Sequence, residues 1–336
     1  SVRRVENPQS IAQQADADSP AGICYPSGCS HSWLPAKIEL AAYPSYLGLL
    51  EGGELVARER EAARRLESCD LCAGACGVDR SAGASRGRCG IGRNPVVYSY
   101  GPHMGEEDPL RGWRGSGTVF FSRCNLRCVY CQNRDISQQE RGRAVSPEEL
   151  AAIFLELQQL GCHNINLVSP SHVVAPIIAA IRHAAEGGLK LPIVYNSGGY
   201  DSLPALALLD GIVDIYMPDM KYGRSEVAWR LSGVADYVEH CFAAVREMQR
   251  QVDDLRLDAR GVARRGLLVR HLVLPGGLAG TTRVLDFLAR EISSDTFVNV
   301  MDQYRPCYRA SDYPPLDRCP TAEELREATV CAMRLG

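Results

Sequence analysis

The 336-residue sequence has no apolar run long enough to cross a bilayer and no charged-then-apolar leader, so neither a membrane span nor a secretory signal is expected. It also lacks an excess of one charge. Thirty-seven Lys and Arg stand against 40 Asp and Glu, net −3, with the signs interspersed, and without a basic stripe a nucleic-acid partner is not expected. The first residue is Ser1 rather than Met, which leaves room for a processed leader upstream. At 46% hydrophobic and 23% charged residues, the composition suits a globular protein with one large α/β domain and a smaller appendage.

Cysteine is abundant. The 14 cysteines cluster at ligand-like spacings in a chain too large to need disulfide staples, which points to metal binding in a reducing compartment, hence the cytoplasm. Cys124-x3-Cys128-x2-Cys131 follows directly on the apolar run Gly117–Ser122. Three thiolates on so short a loop can converge on one centre, but they are one too few to close a zinc tetrahedron or a [4Fe–4S] cube. One iron is left for a substrate or cosubstrate to ligate. A second group, Cys69-x2-Cys72-x3-Cys76 followed by Cys89, offers the full complement for zinc or a second iron–sulfur cluster. A structural knuckle and a functional cluster stand equally open there. Cys24 and Cys29 sit in a polar arm. Cys162, Cys241 and Cys331 lie among apolar helical positions and are expected to be buried. Cys307 and Cys319 flank a loop with no ligand spacing, placed to cover the site.

Three segments follow from the pattern. Residues 1–35, rich in Pro with little periodicity, read as a poorly ordered arm. Residues 36–110 form a helical and cysteine-rich segment, with amphipathic positions over 46–67 broken at Gly52-Gly53. They end in Gly101–Leu110, whose His103 and Glu106 are candidates for a site edge or a solvated turn. From 111 to 336, short β-branched runs alternate with helical ones. Strands are expected at Thr118–Ser122, Asn164–Val168, Pro192–Tyr195, Val213–Met217, Leu267–Leu274 and Thr296–Met301. Helices are expected at Pro147–Leu160, Val173–Ala185, Leu203–Leu209, Val234–Leu255, Thr282–Ile292 and Ala322–Leu335. Six βα units predict a parallel sheet rolled into a partial (β/α)6 TIM-like barrel, with function at the C-terminal strand ends. Each expected strand does end in a polar cluster, one of which carries the cysteine triad.

The triad, with Tyr130 just before its last cysteine, resembles the signature of the radical S-adenosylmethionine (SAM) superfamily. The longer phrases Cys131-Gln132-Asn133, Asn164–Val168, Val213–Asp219 and Arg270–Pro275 resemble a poorly characterised branch related to pyruvate formate-lyase activating enzyme. The resemblance implies a [4Fe–4S] cluster on Cys124, Cys128 and Cys131, with SAM chelating the fourth iron. An external one-electron donor of flavodoxin or ferredoxin type would drive cleavage to methionine and a 5′-deoxyadenosyl radical, which abstracts hydrogen from a substrate. By the same resemblance Tyr130 offers adenine a flat face. Where relatives carry Gly-Gly-Glu for the SAM amino group, this chain has Val168-Ser169-Pro170-Ser171-His172, so Ser169 or Ser171 would substitute. Met217-x-Asp219-x-Lys221 is similar to the activase's Met-x-Asp-x-Lys. Asp219, Asn196 and Ser197 would meet a monovalent cation and Lys221 SAM. On the next strand, alternation lets only one of Arg270 and His271 face inward; His271 is expected on SAM and Arg270 on an ion pair or substrate carboxylate. The substrate is expected to be a protein or peptide. A small metabolite, or a non-catalytic iron–sulfur or zinc scaffold, are the alternatives.

Overall fold

The computed structural model describes residues 3–4, 43–83, 87–139 and 141–335. Nearly all of the 1–35 arm, with Cys24 and Cys29, lies outside them. Seven strands of more than two residues form one sheet: β1 (Val96–His103), β2 (Ser116–Phe121), β3 (Ile165–Val168), β4 (Ile193–Ser197), β5 (Ile215–Pro218), β6 (Ala263–Leu272) and β7 (Phe297–Met301). They are hydrogen-bonded in that order, β2 to β7 all parallel. All six expected strands are present, and β1 and β7 do not meet, so the barrel is open.

β1 was not anticipated. It runs antiparallel to β2, and Arg3–Arg4 pairs antiparallel with its outer edge at Ser99–Tyr100. Its sequence, Val96-Val97-Tyr98-Ser99-Tyr100, is β-prone, but it lies in the stretch read as the end of the cysteine-rich segment. The expected boundary near residue 110 therefore falls between two paired strands.

The helices are α1 (Tyr46–Glu51), α2 (Glu54–Arg64), α3 (Pro147–Gln159), α4 (Val174–Glu186), α5 (Leu203–Leu209), α6 (Ser225–Ser232), α7 (Tyr237–Val252), α8 (Thr281–Phe287, continuing as a π turn to Ile292) and α9 (Ala322–Leu335). Local chemistry fixes several starts. Ser146 Oγ accepts from Glu149 N–H while Glu149 returns a bond to Ser146 N–H, with Pro147 in the first turn of α3; such a cap contributes about 1 kcal/mol. Thr321 and Glu324 exchange the same pair of bonds ahead of α9. α4 is buried on almost every face because it is packed among α1, α2 and α3.

Two apolar cores result. The larger lies between sheet and helices and takes in the cysteine-rich segment through Tyr46, Leu55, Leu66, Leu71 and Ile91. The smaller fills the barrel floor: Val194, Ile215, Met217 and Leu268 from β4, β5 and β6, with Ala263 and Leu110. Asp214, at the entry to β5, accepts from Ser45 and Ile193 N–H and ties the start of α1 to the barrel's N-terminal end, a stabilising place rather than a reacting one.

Candidate active site at the C-terminal mouth of the barrel

Alternation along the strands that build the floor also sets the mouth. Above Met217, Asp219 and Lys221 project the same way; above Val194 comes Asn196, and above Leu268 comes Arg270. With Val168, Ser169, Ser197, Leu272, Met301 and Gln303 they line a cavity of about 290 Å³. Cys124, Leu126, Cys128, Tyr130, Cys131, Gln132, Asn133, Ser137 and Gln138 complete it. The three triad cysteines thus share one open space.

The loop after β2 is held from outside. Val129 N–H and Arg127 N–H donate to Leu231 and Ser232 at the end of α6. Cys307 Sγ donates to Tyr130 O at 3.1 Å and Arg309 N–H to Val129 O at 2.9 Å, so the loop after β7 rests on the back of the triad. Each triad sulfur also meets a polar hydrogen. Leu126 N–H donates to Cys124 at 3.4 Å, Ser232 Oγ lies 2.9 Å from Cys128, and Ser137 Oγ 3.1 Å from Cys131. Ser137 and Ser232 carry no sequence signal; only the packing of α6 and of the short helix Arg134–Ser137 brings them in.

Charge at the cavity base is paired. Asp219 takes Arg270 Nε on one oxygen at 2.8 Å and Lys221 Nζ on the other at 2.7 Å. Arg270 also donates to Asn196 Oδ1 at 2.8 Å and pairs with Glu106 at 3.2 Å. Burial raises the Asp219 carboxyl, but Arg270 and Lys221 outweigh it and hold its pKa at about 2. Burial would lower Lys221; Asp219 and Cys128 reverse that and raise it. Burial pushes Cys124 up to about 12 and raises Cys128 as well.

A model of the radical SAM superfamily matches residues 118–255. An uncharacterized protein of Methanocaldococcus jannaschii is 32% identical over 272 residues, 78% of this chain and 73% of the relative. The chain belongs to the radical SAM superfamily. A SAM-dependent nucleotide dehydratase of a Thermoplasmatales archaeon is 26% identical over 110 residues, 32% of this chain and 38% of that one. Among solved structures, a radical SAM methyltransferase from Sphaerobacter thermophilus has a TM-score of 0.44 at 15% identity, covering 65% of this chain and 64% of that one.

A radical SAM protein needs a [4Fe–4S] cluster and SAM, and the residues present fit both. Among the described residues no three His, Cys, Asp or Glu are close enough to grip a single ion, whereas a cube spreads its thiolates around a space such as the cavity edge that Cys124, Cys128 and Cys131 share. Thiols with raised pKa ionise when a metal takes the charge, and the hydroxyl and N–H groups beside them then hydrogen-bond the sulfurs. Lys221, Asp219, Ser169 and Asn196 line the same space with groups matching an amino acid's carboxylate and ammonium.

Several expected residues are placed differently. His271 does not face the cavity: it is fully buried on the outer face of β6, with Nδ1 on Met220 O at 2.7 Å and Nε2 on Thr281 Oγ1 of α8 at 2.9 Å. Arg270 takes the inward place, because the floor residue Leu268 fixes the parity of the strand. Ser171 is buried and bonds Asp201, which also accepts from Ser197 Oγ at 2.6 Å and Tyr195 at 2.9 Å. In the expected monovalent-cation group, Asp219 already pairs with Arg270 and Lys221, Asn196 accepts from Arg270, and Ser197 donates to Asp201, so protein cations stand beside the place expected of an ion.

Tyr130 lines the cavity but is packed edge-on to Tyr222 and Tyr304, its hydroxyl on Tyr222 at 2.7 Å. Gly199, at φ +76, lets the β4 turn pass so near Asp219 O that an added Cβ would sit 2.8 Å from it. His103 ends the antiparallel β1 opposite Ser116, its ring edge-on to Phe120, and is not among the residues lining the cavity. Glu106 enters the barrel from that side, accepting from Asn166 Nδ2 at 2.6 Å as well as pairing with Arg270. Among the second group, Cys69 and Cys89 are buried and Cys72 is half-buried and near both, while Cys76 is exposed.

Proposed function

We propose that this radical SAM enzyme abstracts hydrogen from a protein or peptide substrate, in the manner of glycyl radical enzyme activases. With cluster and SAM bound, the cofactors supply reductive carbon–sulfur cleavage and a hydrogen-abstracting carbon centre. The chain's residues do the rest. Cys124, Cys128 and Cys131 anchor the cluster at the rim. Lys221 presents its ammonium to the SAM carboxylate, and Asp219, fixed by Arg270, its carboxylate to the SAM amino group. Tyr130 and the apolar Leu126, Leu272 and Met301 keep water from the space. The electron comes from an external one-electron donor of flavodoxin or ferredoxin type, in the reducing cytoplasm. No helix of the described residues is long and apolar enough to cross a membrane.

One observation carries the substrate class. The three charged residues lining the cavity, Asp219, Lys221 and Arg270, are paired with one another, and the remaining polar lining includes the amides Gln132, Asn133, Gln138 and Gln303. Amide side chains offer both donor and acceptor, matching a polypeptide backbone. A nucleotide, the substrate class named for the Thermoplasmatales relative, needs cations for its phosphates. The test uses anaerobically reconstituted enzyme with SAM, dithionite and deuterated cell extract split into macromolecular and small-molecule fractions. Deuterium in 5′-deoxyadenosine from the macromolecular fraction supports the reading, and transfer confined to the small-molecule fraction overturns it.

A further inference from the structure

Arg80 is 1% exposed, a position where a guanidinium, which keeps its charge in any protein, is costly without an anion. Its Nε and Nη2 donate to the carbonyls of Ile91 and Gly92, and its Nη1 reaches Cys69 Sγ at 3.3 Å. Among the described residues no carboxylate pairs with it. Among the described residues, the one side chain its guanidinium hydrogen-bonds is Cys69, through the sulfur.

Cys69 is not isolated. Its N–H donates to Val78 O and its carbonyl accepts from Gly77 N–H, both at 3.0 Å, folding the segment into a knuckle. The knuckle brings Cys72 into electrostatic reach of both Cys69 and Cys89. Cys76 sits in the exposed turn between them, flanked by Ala75 and Gly77 at positive φ. Among the described residues no three of these thiols lie close enough to grip a single ion, and the same is true of the Cys124 triad. A zinc tetrahedron needs the opposite.

The knuckle is locked to the SAM centre. The Asn125 side chain hydrogen-bonds Cys72 and lies 3.8 Å from Cys124 Sγ, so one residue touches a sulfur of each group. Arg88 donates to Asn125 O at 2.9 Å and Ser232 O at 2.8 Å.

We infer that Cys69, Cys72 and Cys89, closed by Cys76, hold a second iron–sulfur cluster whose negative charge Arg80 balances, set beside the SAM centre. Held there, the cluster would supply a one-electron relay, taking an electron from an external low-potential donor and handing it on to the first cluster with no atom transferred. The inference does not depend on the substrate class.

Full-length protein reconstituted anaerobically with iron and sulfide should bind about eight irons, two cubes. Cys72→Ala should keep about four, with an EPR signal that still responds to SAM. The triple variant Cys124→Ala, Cys128→Ala, Cys131→Ala should also keep about four, without a SAM response, and this decides the matter even if Cys72→Ala misfolds. Fully reduced wild type should show spin coupling absent from both variants. Saturation of wild type at about four irons that Cys72→Ala still holds, or zinc retained by the triple variant, overturns the second cluster; eight irons without coupling overturns its place beside the first. A failed first centre would look different: Cys72→Ala would then hold no iron.

Discussion

The barrel interior is built of two materials in series, supplied by the same strands. At the floor, Val194, Ile215, Met217 and Leu268 form a dry apolar plug. Two residues further along each strand, Asn196, Asp219 and Arg270 line a polar cavity. The floor is held by dispersion and exclusion of water, which tolerate loss in proportion to volume. The mouth is held by a carboxylate between two cations, where removing one member strands the others. The fold therefore keeps its stability reserve at one end and its chemistry at the other.

Breaking the mouth at its proposed cluster ligands should have the largest effect. Cys128→Ala is expected to abolish 5′-deoxyadenosine formation and the SAM-responsive EPR signal, while leaving the circular dichroism of the apoprotein unchanged. Next is Asp219→Asn, which leaves Lys221 and Arg270 facing each other and should cost about 4 kcal/mol in urea unfolding together with SAM binding. Its floor counterpart, Met217→Ala, should cost about 3 kcal/mol through a cavity yet retain SAM cleavage. If Met217→Ala lost activity to the same degree, the division between floor and mouth would be wrong.

Acid sharpens the contrast with the outer wall. Burial, aided by Arg80 for His172, lowers His172 and His271 to about 4. The unfolded chain therefore takes up these protons first, near pH 6.5. The stability that the neutral rings contribute is complete above that pH and is lost as pH falls toward 4, roughly 3 kcal/mol per histidine. Replacing His271 by Asn should reduce the slope of unfolding free energy against pH by about one proton in that window; an unaltered slope would remove His271 from the account. The smallest effect is expected for Glu106→Gln. It keeps an acceptor for Asn166 but loses half of the carboxylate balance on Arg270, about 1 kcal/mol, seen as a small drop in thermal midpoint.

The βα alternation was legible because each unit is short and locally patterned: β2 to β7 and α3, α4, α5 and α9 fall where periodicity puts them. α6 escaped notice, since its single apolar face is brief and interrupted by Arg230 and Ser232. β1 escaped because its partner is local in space but antiparallel, which βα periodicity does not encode. At the site, the cysteine triad was readable from spacing, and Asp219 and Lys221 from their resemblance to the Met-x-Asp-x-Lys run. The choice between Arg270 and His271 was not, because a period of two gives parity without saying which parity faces in.

What the sequence alone determined is the inventory: three thiols on one short loop, four more upstream, a six-unit parallel barrel and two opposite charges, Asp219 and Lys221, at alternate positions at the end of one strand. Those follow from covalent spacing and backbone periodicity, which act locally. Which side of β6 is inside, whether Asp219 meets an ion or an arginine, and that Asn125 touches both cysteine groups were decided only when distant segments packed. Burial and charge pairing depend on neighbours that are distant in sequence, 51 residues for Asp219 and Arg270 and 164 for Arg270 and Glu106.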